Sequence, residues 1–251
     1  MYLLGVKIDN VDTNEVLKKI EVFLADGRQH HIVTPNPEII VFAQKDKEFK
    51  KILNEADLSI PDGTGIIWAS KILKGDIKEK VSGTDLMEEL LKNQKSKCKN
   101  QNDPSSSPAL AGHYGAGISK FKIFLLGGKN EAAEKIAKKF SNIVGFTENI
   151  NEAVELINQG KPDILFVALG APKQEKWIHY NIDKIPSVKV AIGVGGAFDF
   201  ISGKIQRAPN FLRKIGLEWL WRFMLQPWRA KRIYNAVIKF PCLVIRARIT
   251  H

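Results

Sequence analysis

Cysteine is scarce in this chain: Cys98 and Cys242 are the two it has among 251 residues. They stand far apart and make no metal-ligand spacing, which argues against a disulfide framework and for a reducing compartment. Long apolar runs are missing too. No stretch approaches the ~20 uninterrupted apolar residues of a membrane-spanning helix, and the opening MYLLGVKIDN has neither the basic start nor the apolar run of a signal peptide. There is no Walker pattern and no G-x-G-x-x-G fingerprint. Neither a D-x-D pair nor a histidine cluster at ligand spacing occurs, so the sequence offers a divalent ion no evident set of ligands. What is there is ordinary in bulk, 44% hydrophobic and 26% charged, as expected of a globular α/β protein.

The net charge of +11 is the first unusual quantity. From Ile201 onward stand Lys204, Arg207, Arg213, Lys214, Arg222, Arg229, Lys231, Arg232, Lys239, Arg246 and Arg248, opposed by one acid, Glu218. Nearly all the excess charge therefore belongs to this tail, and the first 200 residues are close to neutral.

Those 200 residues alternate two kinds of segment. Short Val- and Ile-rich runs at His31–Thr34, Leu58–Ile60, Lys122–Leu126, Ile164–Leu169 and Lys189–Val194 read as buried strands. Helical patterns lie between them at Asn14–Leu24, Pro37–Leu53, Gly65–Leu73, Asp85–Gln94, Glu131–Phe140, Glu152–Asn158 and Lys173–Asn181. The alternation predicts a Rossmann-like, mostly parallel α/β sheet with helices on both faces, followed by a basic helical C-terminal appendage over 201–251. Within the core, 1–200, the Ser-, Pro- and Gly-rich stretch 95–119 reads as a linker between two halves.

Ligands of such sheets bind where strands exit into helices. The first exit, Ile32–Glu38, offers Thr34 and Asn36; Asn36 also suits a helix N-cap with Pro37 at the first helical position. The next, Ser59–Ile66, offers Asp62 before Gly63-Thr64-Gly65. Asp62 is either another cap or a carboxylate free to take a proton from an attacking hydroxyl. Lys80 and Ser82 are donors in the following turn. Gly127-Gly128, the segment Gly170–Trp177 with Gln174, and Gly193–Asp199 with Gly195 close the remaining strands, and the amides there suit a nucleotide phosphate.

Taken in order, TPNPE, IPDGTGI, VSGTDL, IFLLGG, LGAPKQEKWI, GVGGAFDF and KIQRAPNFLRKIGLEWLWRFMLQPWR resemble the WecG/TagA/CpsF glycosyltransferases over nearly the whole chain. The resemblance implies an inverting, metal-independent transfer of N-acetylmannosamine or a related sugar from its UDP derivative to a sugar on undecaprenyl diphosphate. The products in that family feed wall teichoic acid, capsule or enterobacterial common antigen. It implies Asp62 as the base, Thr34, Asn36 and Gln174 as pocket residues, and Arg222, Arg229 and Arg232 as cations over the diphosphate. This sequence departs from the family pattern in three places. Lys80 stands where an arginine is expected, the 95–119 linker is long, and Ser141–Asn149 is short.

The chemistry is consistent with the residues. With no metal-ligand pattern, cations must stabilise the departing diphosphate. Arg222, Arg229 and Arg232 would share one face of a continuous helix, although Pro227 interrupts it. Trp219, Leu220, Phe223 and Met224 interleave with these charges, a pattern suited to an anionic membrane surface. The expected site is thus cytoplasmic, with peripheral attachment to the inner face of the membrane. Self-association through Trp219 and Trp221 stays open. A nicotinamide oxidoreductase lacks its glycine fingerprint here. A nucleic-acid module would have only the tail, since the near-neutral core continues no basic track.

Overall fold

A computed structural model describes residues 1–92 and 121–250; the predicted linker 95–119 lies outside them. The chain opens with two short strands, β1 (Tyr2–Leu3) and β2 (Val6–Lys7), paired antiparallel around Leu4 and Gly5, both with positive φ. Helix α1 (Thr13–Ala25) starts on a full capping box, with the Asp12 side chain accepting from Glu15 N and Glu15 answering to Asp12 N. Then follow β3 (His30–Val33), α2 (Pro37–Ala43), α3 (Lys47–Glu55), β4 (Leu58–Ser59), α4 (Thr64–Ile72) and α5 (Gly83–Lys92). The second half runs β5 (Ile123–Gly127), α6 (Ala132–Ala137), β6 (Ile143–Thr147), α7 (Ala153–Gly160), β7 (Ile164–Ala168), α8 (Lys173–Asn181), β8 (Val190–Gly193) and α9 (Ala197–Ile201).

Six strands form one parallel sheet in the order β4-β3-β8-β7-β5-β6. Alternate residues feed opposite faces, as the pleat requires. Ile123, Leu125, Ile164, Phe166, Val190 and Ile192 pack beneath α1, α5, α6 and α9, while Phe124, Leu126, Leu165, Val167 and Ala191 pack against α7 and α8. The halves meet at β3 and β8, where Thr34 Oγ1 donates to the Gly193 carbonyl at 3.0 Å. The exits of both halves are thereby brought side by side.

The five predicted strands are present, and the structure adds β6 to their sheet and the separate β1-β2 pair. It also divides the single helix expected over Pro37–Leu53: α2 ends at Ala43, and Asp46 caps α3 by accepting from Phe49 N. In the tail, α10 (Asn210–Lys214), α11 (Glu218–Leu225), α12 (Ala230–Tyr234) and α13 (Phe240–Ile249) follow one another, with a tight turn at Pro227–Arg229 and a wide one at Asn235–Lys239. Pro227 thus breaks the continuous helix on which the three arginines were aligned. The tail does not merely lean on the core. Phe240 and Val244 are fully buried with Ile39, Ile40, Ile66 and Ala69, and each such burial stabilises by about 1.5–3 kcal/mol.

Candidate functional site

A pocket of about 390 Å³ lies between the exits of β3 and β4 and the tail folded over them. Asn36, Asp62, Gly63 and Thr64 form its floor, Lys80, Ser82 and Thr84 one wall, and Glu218, Trp219, Arg222, Arg229 and Arg232 the roof. Its far end is apolar, lined by Trp68, Ile233, Ala236, Val237 and Phe240.

The floor follows from local chain chemistry. Asn36 caps α2, its Oδ1 accepting from Ile39 N at 3.0 Å, which leaves the amide NH₂ for the pocket it lines. Asp62 N donates to the Pro35 carbonyl at 3.0 Å, tying the two exits together. Gly63, at φ +94, is the N-cap of α4, so Asp62 is released from the capping role that the sequence also allowed. The Asp62 carboxyl makes no hydrogen bond among the described residues. Asp62 is partly exposed where it lines the pocket, and burial pushes its pKa up from the ordinary 3.8 to about 7. Glu218 and Asp85 add to the rise, while Lys80 and Arg222 oppose it. A carboxyl titrating near neutrality is well matched to taking a proton there.

The roof is fastened by polar contacts at several points. Lys80 Nζ donates to the Arg213 carbonyl at 3.2 Å, Arg207 pairs with Asp85 and Glu88, and Arg232 Nε donates to both Glu38 oxygens at 2.7 and 2.9 Å. Arg222 lies over the Phe200 ring, 4.6 Å from its centroid, with Asp199 3.9 Å away. Arg229 has no ion pair among the described residues, and its hydrogen bond goes to Gln226 Oε1 at 3.1 Å. Burial, then the charges of Arg222 and Arg232, pull its pKa below the usual arginine value. Three guanidiniums therefore line the same pocket as the carboxyls of Glu38, Asp62 and Glu218, and Arg229 is the one left without an ion pair among the described residues.

The structure brings together Asn36, Asp62, Lys80, Arg222, Arg229 and Arg232 from the sequence-predicted set. The others stand outside this pocket. Thr34 is buried against Gly193. Gln174 is 2% exposed and works as a staple: its Oε1 accepts from Gly170 N and Gly195 N at 3.1 and 3.0 Å, and its Nε2 donates to Glu175 at 2.8 Å. Gly195 is thus one end of that staple. Gly127 and Gly128 take φ of +91 and +88, where the chain packs so closely that a methyl on Gly127 would sit 2.9 Å from the Ala168 carbonyl. Sequence reasoning missed Glu38, Glu218, Trp68 and Phe240. Glu38 was visible inside TPNPE, and Glu218 as the lone acid of a basic tail.

Fold and pocket together define a Rossmann-like α/β core whose strand exits are roofed by a basic helical tail, with Asp62 and three arginines lining one pocket. The chain belongs to the glycosyl transferase WecG/TagA/CpsF family, whose model matches residues 1–101 and 106–251. Similar proteins include one of Staphylococcus aureus (strain MRSA252), 32% identical over 94% of this chain and 89% of its own length. Another, of Bacillus subtilis (strain 168), is 32% identical over 86% of this chain and 78% of its own. Both are named N-acetylglucosaminyldiphosphoundecaprenol N-acetyl-beta-D-mannosaminyltransferase. Among the described residues no helix is long and apolar enough to cross a membrane.

Proposed function

We propose that this glycosyltransferase moves N-acetylmannosamine, or a closely related sugar, from its UDP derivative to N-acetylglucosamine on undecaprenyl diphosphate, with inversion and without a metal. One observation carries the reading: the Asp62 carboxyl lies on the floor of a pocket roofed by Arg222, Arg229 and Arg232. Asp62 takes the proton of the acceptor hydroxyl as that oxygen attacks the anomeric carbon. The bond from that carbon to the diphosphate breaks on the opposite side, and the arginines receive the charge that develops on UDP. Arg229, lacking a carboxylate partner among the described residues, is the cation best placed to meet it. The names of the similar proteins support the choice of donor sugar and acceptor.

The acceptor's lipid suggests the setting. Met224, Leu225 and Trp228 are exposed beside the exposed Lys231, and this face suits the anionic inner surface of a membrane. Peripheral attachment there would deliver the lipid-linked sugar to a pocket that already lies under the tail.

The test is UDP release from a panel of UDP-sugars with a lipid-diphosphate-linked N-acetylglucosamine acceptor, with EDTA throughout. Asp62→Asn is expected to lower kcat by about a hundredfold or more while UDP affinity stays within about threefold. No transfer by the wild type, or full activity of Asp62→Asn, would sink the reading.

A further inference from the structure

One carboxylate of the pocket stands where a substrate anion would compete with it. Glu38, in the first turn of α2, is 7% exposed and lines the pocket together with Arg232. Both of its oxygens accept from Arg232 Nε, whereas the two terminal nitrogens of that guanidinium have no partner among the described residues. One edge of Arg232 is held by the core, and the other remains for a ligand.

The charge of the roof gives this pairing its purpose. Arg222 and Arg232 both press on Arg229, and Glu38 is the strongest opposing charge there, ahead of Asp199. Without it, three neighbouring guanidiniums would repel one another, and their repulsion would act against the tail's seat on the core. Arg232 belongs to α12, which runs through the turn at Asn235–Lys239 into α13 and its buried Phe240. A load on Arg232 is therefore a load on the tail.

We propose that Glu38 is a positioning residue acting as a resident counter-anion: it holds Arg232, and with it the roof, over an empty pocket, and a bound diphosphate takes over much of that neutralisation. The inference rests on the diphosphate reading of the site given above. Coupling between ligand and roof is reciprocal, so an anion that favours the seated roof binds the seated roof better. In the wild type Glu38 already seats it, and little coupling is left to observe. With the charge of Glu38 removed, seating becomes dependent on the ligand.

Limited trypsin digestion of the full chain, following cleavage within 204–234, tests this. The arms are no ligand, saturating UDP and saturating inorganic pyrophosphate, with binding of each measured by calorimetry. Wild-type cleavage is expected to be slow and to change by less than about threefold with either anion. Glu38→Gln keeps an acceptor for Arg232 and loses the charge. Its unliganded cleavage is expected to rise about tenfold or more, and UDP or pyrophosphate to return it to within about threefold of wild type. Arg232→Gln is expected to release the tail as well, with a smaller return, because the group that receives the anion is gone. Circular dichroism and a Tm within a few degrees of wild type separate roof release from unfolding. If Glu38→Gln does not fold, Glu38→Asp, which keeps the charge but withdraws it by one methylene, gives the same pattern at smaller amplitude. Unliganded Glu38→Gln cleaved at the wild-type rate overturns the proposal. So does fast cleavage that UDP leaves unchanged although calorimetry shows it bound. If pyrophosphate restores the roof and UDP does not bind, the counter-anion stands and the nucleotide reading fails. If neither anion binds either protein, the ligand half of the proposal is overturned.

Discussion

Arg222 Nη2 donates to the carbonyl of Gly196 at 3.4 Å, and a methyl group built on Gly196 would lie 2.1 Å from that nitrogen. Gly196 itself has φ −87, a value alanine adopts freely, so an alanine there would have to push the Arg222 guanidinium aside. Gly196→Ala is expected to leave the Tm within a few degrees of wild type while displacing Arg222 from the roof. Steady-state kinetics should then show kcat/KM lower by about ten- to a hundredfold. An unchanged kcat/KM would mean that the position of Arg222 is irrelevant to turnover.

The raised pKa of Asp62 gives a pH signature in two observables. In the role proposed for it as base, Asp62 must be ionised, so log kcat/KM is expected to rise with unit slope and level off above a pH of about 7, and Asp62→Asn to abolish the slope. Stability moves the other way. The folded chain holds this proton up to about pH 7, whereas the unfolded chain loses it near 3.8. The contribution is therefore complete below pH 3.8 and is lost as pH rises toward 7. Thermal melts should find Asp62→Asn level with wild type near pH 4 and a few degrees more stable at pH 8.

The sheet was legible because it rests on local chemistry, whereas the grouping of Asp62 with three arginines came from the family resemblance, since Pro227 breaks the helix that would have aligned them. Strand exits carry their own punctuation, and Asn36-Pro37 is a cap signal that the structure repeats. What was hidden depends on distant partners. Strand β6 contains Gly145, which disfavours a strand reading, yet the Phe124 ring lies 2.6 Å from where its Cβ would be, so packing across the sheet demands the glycine. Gln174 was expected in the pocket from the family resemblance. Only the fold reveals the two backbone amides that claim it. The ion pair between Glu38 and Arg232 spans most of the chain, and no spacing rule announces it.

Gln174 and its neighbour make a separable prediction. Glu175 is fully buried, its Oε2 has no partner, and burial pushes its pKa up to about 7. Glu175→Gln preserves an acceptor for Gln174 and is expected to fold normally and to reduce the loss of stability between pH 5 and 8. Gln174→Leu strands the Gly170 and Gly195 amides and is expected to cost about 2–4 kcal/mol in denaturant titration. Equal stability of Gln174→Leu and wild type would show that the staple contributes nothing.

Membrane attachment is checked by sedimentation with vesicles. Wild-type protein is expected to bind vesicles rich in phosphatidylglycerol and to leave purely zwitterionic ones largely free, with binding weakened by salt. Met224→Glu with Trp228→Glu, both exposed, is expected to reduce binding about tenfold or more without changing the Tm. Loss of binding with no salt dependence would point to apolar insertion alone.

The burial of Phe240 and Val244 has a bearing on how the protein is made. Their seat is built from Ile39, Ile40, Ile66 and Ala69, which the ribosome delivers long before the side chains that fill it. A nascent chain with every sheet strand in place still carries an open apolar socket beside the floor of the pocket. Synthesis of α13 closes the socket and completes the roof of the pocket, so a finished pocket and relief from aggregation arrive together. A premature stop after Gly203 would forfeit both, leaving the apolar seat and the pocket open.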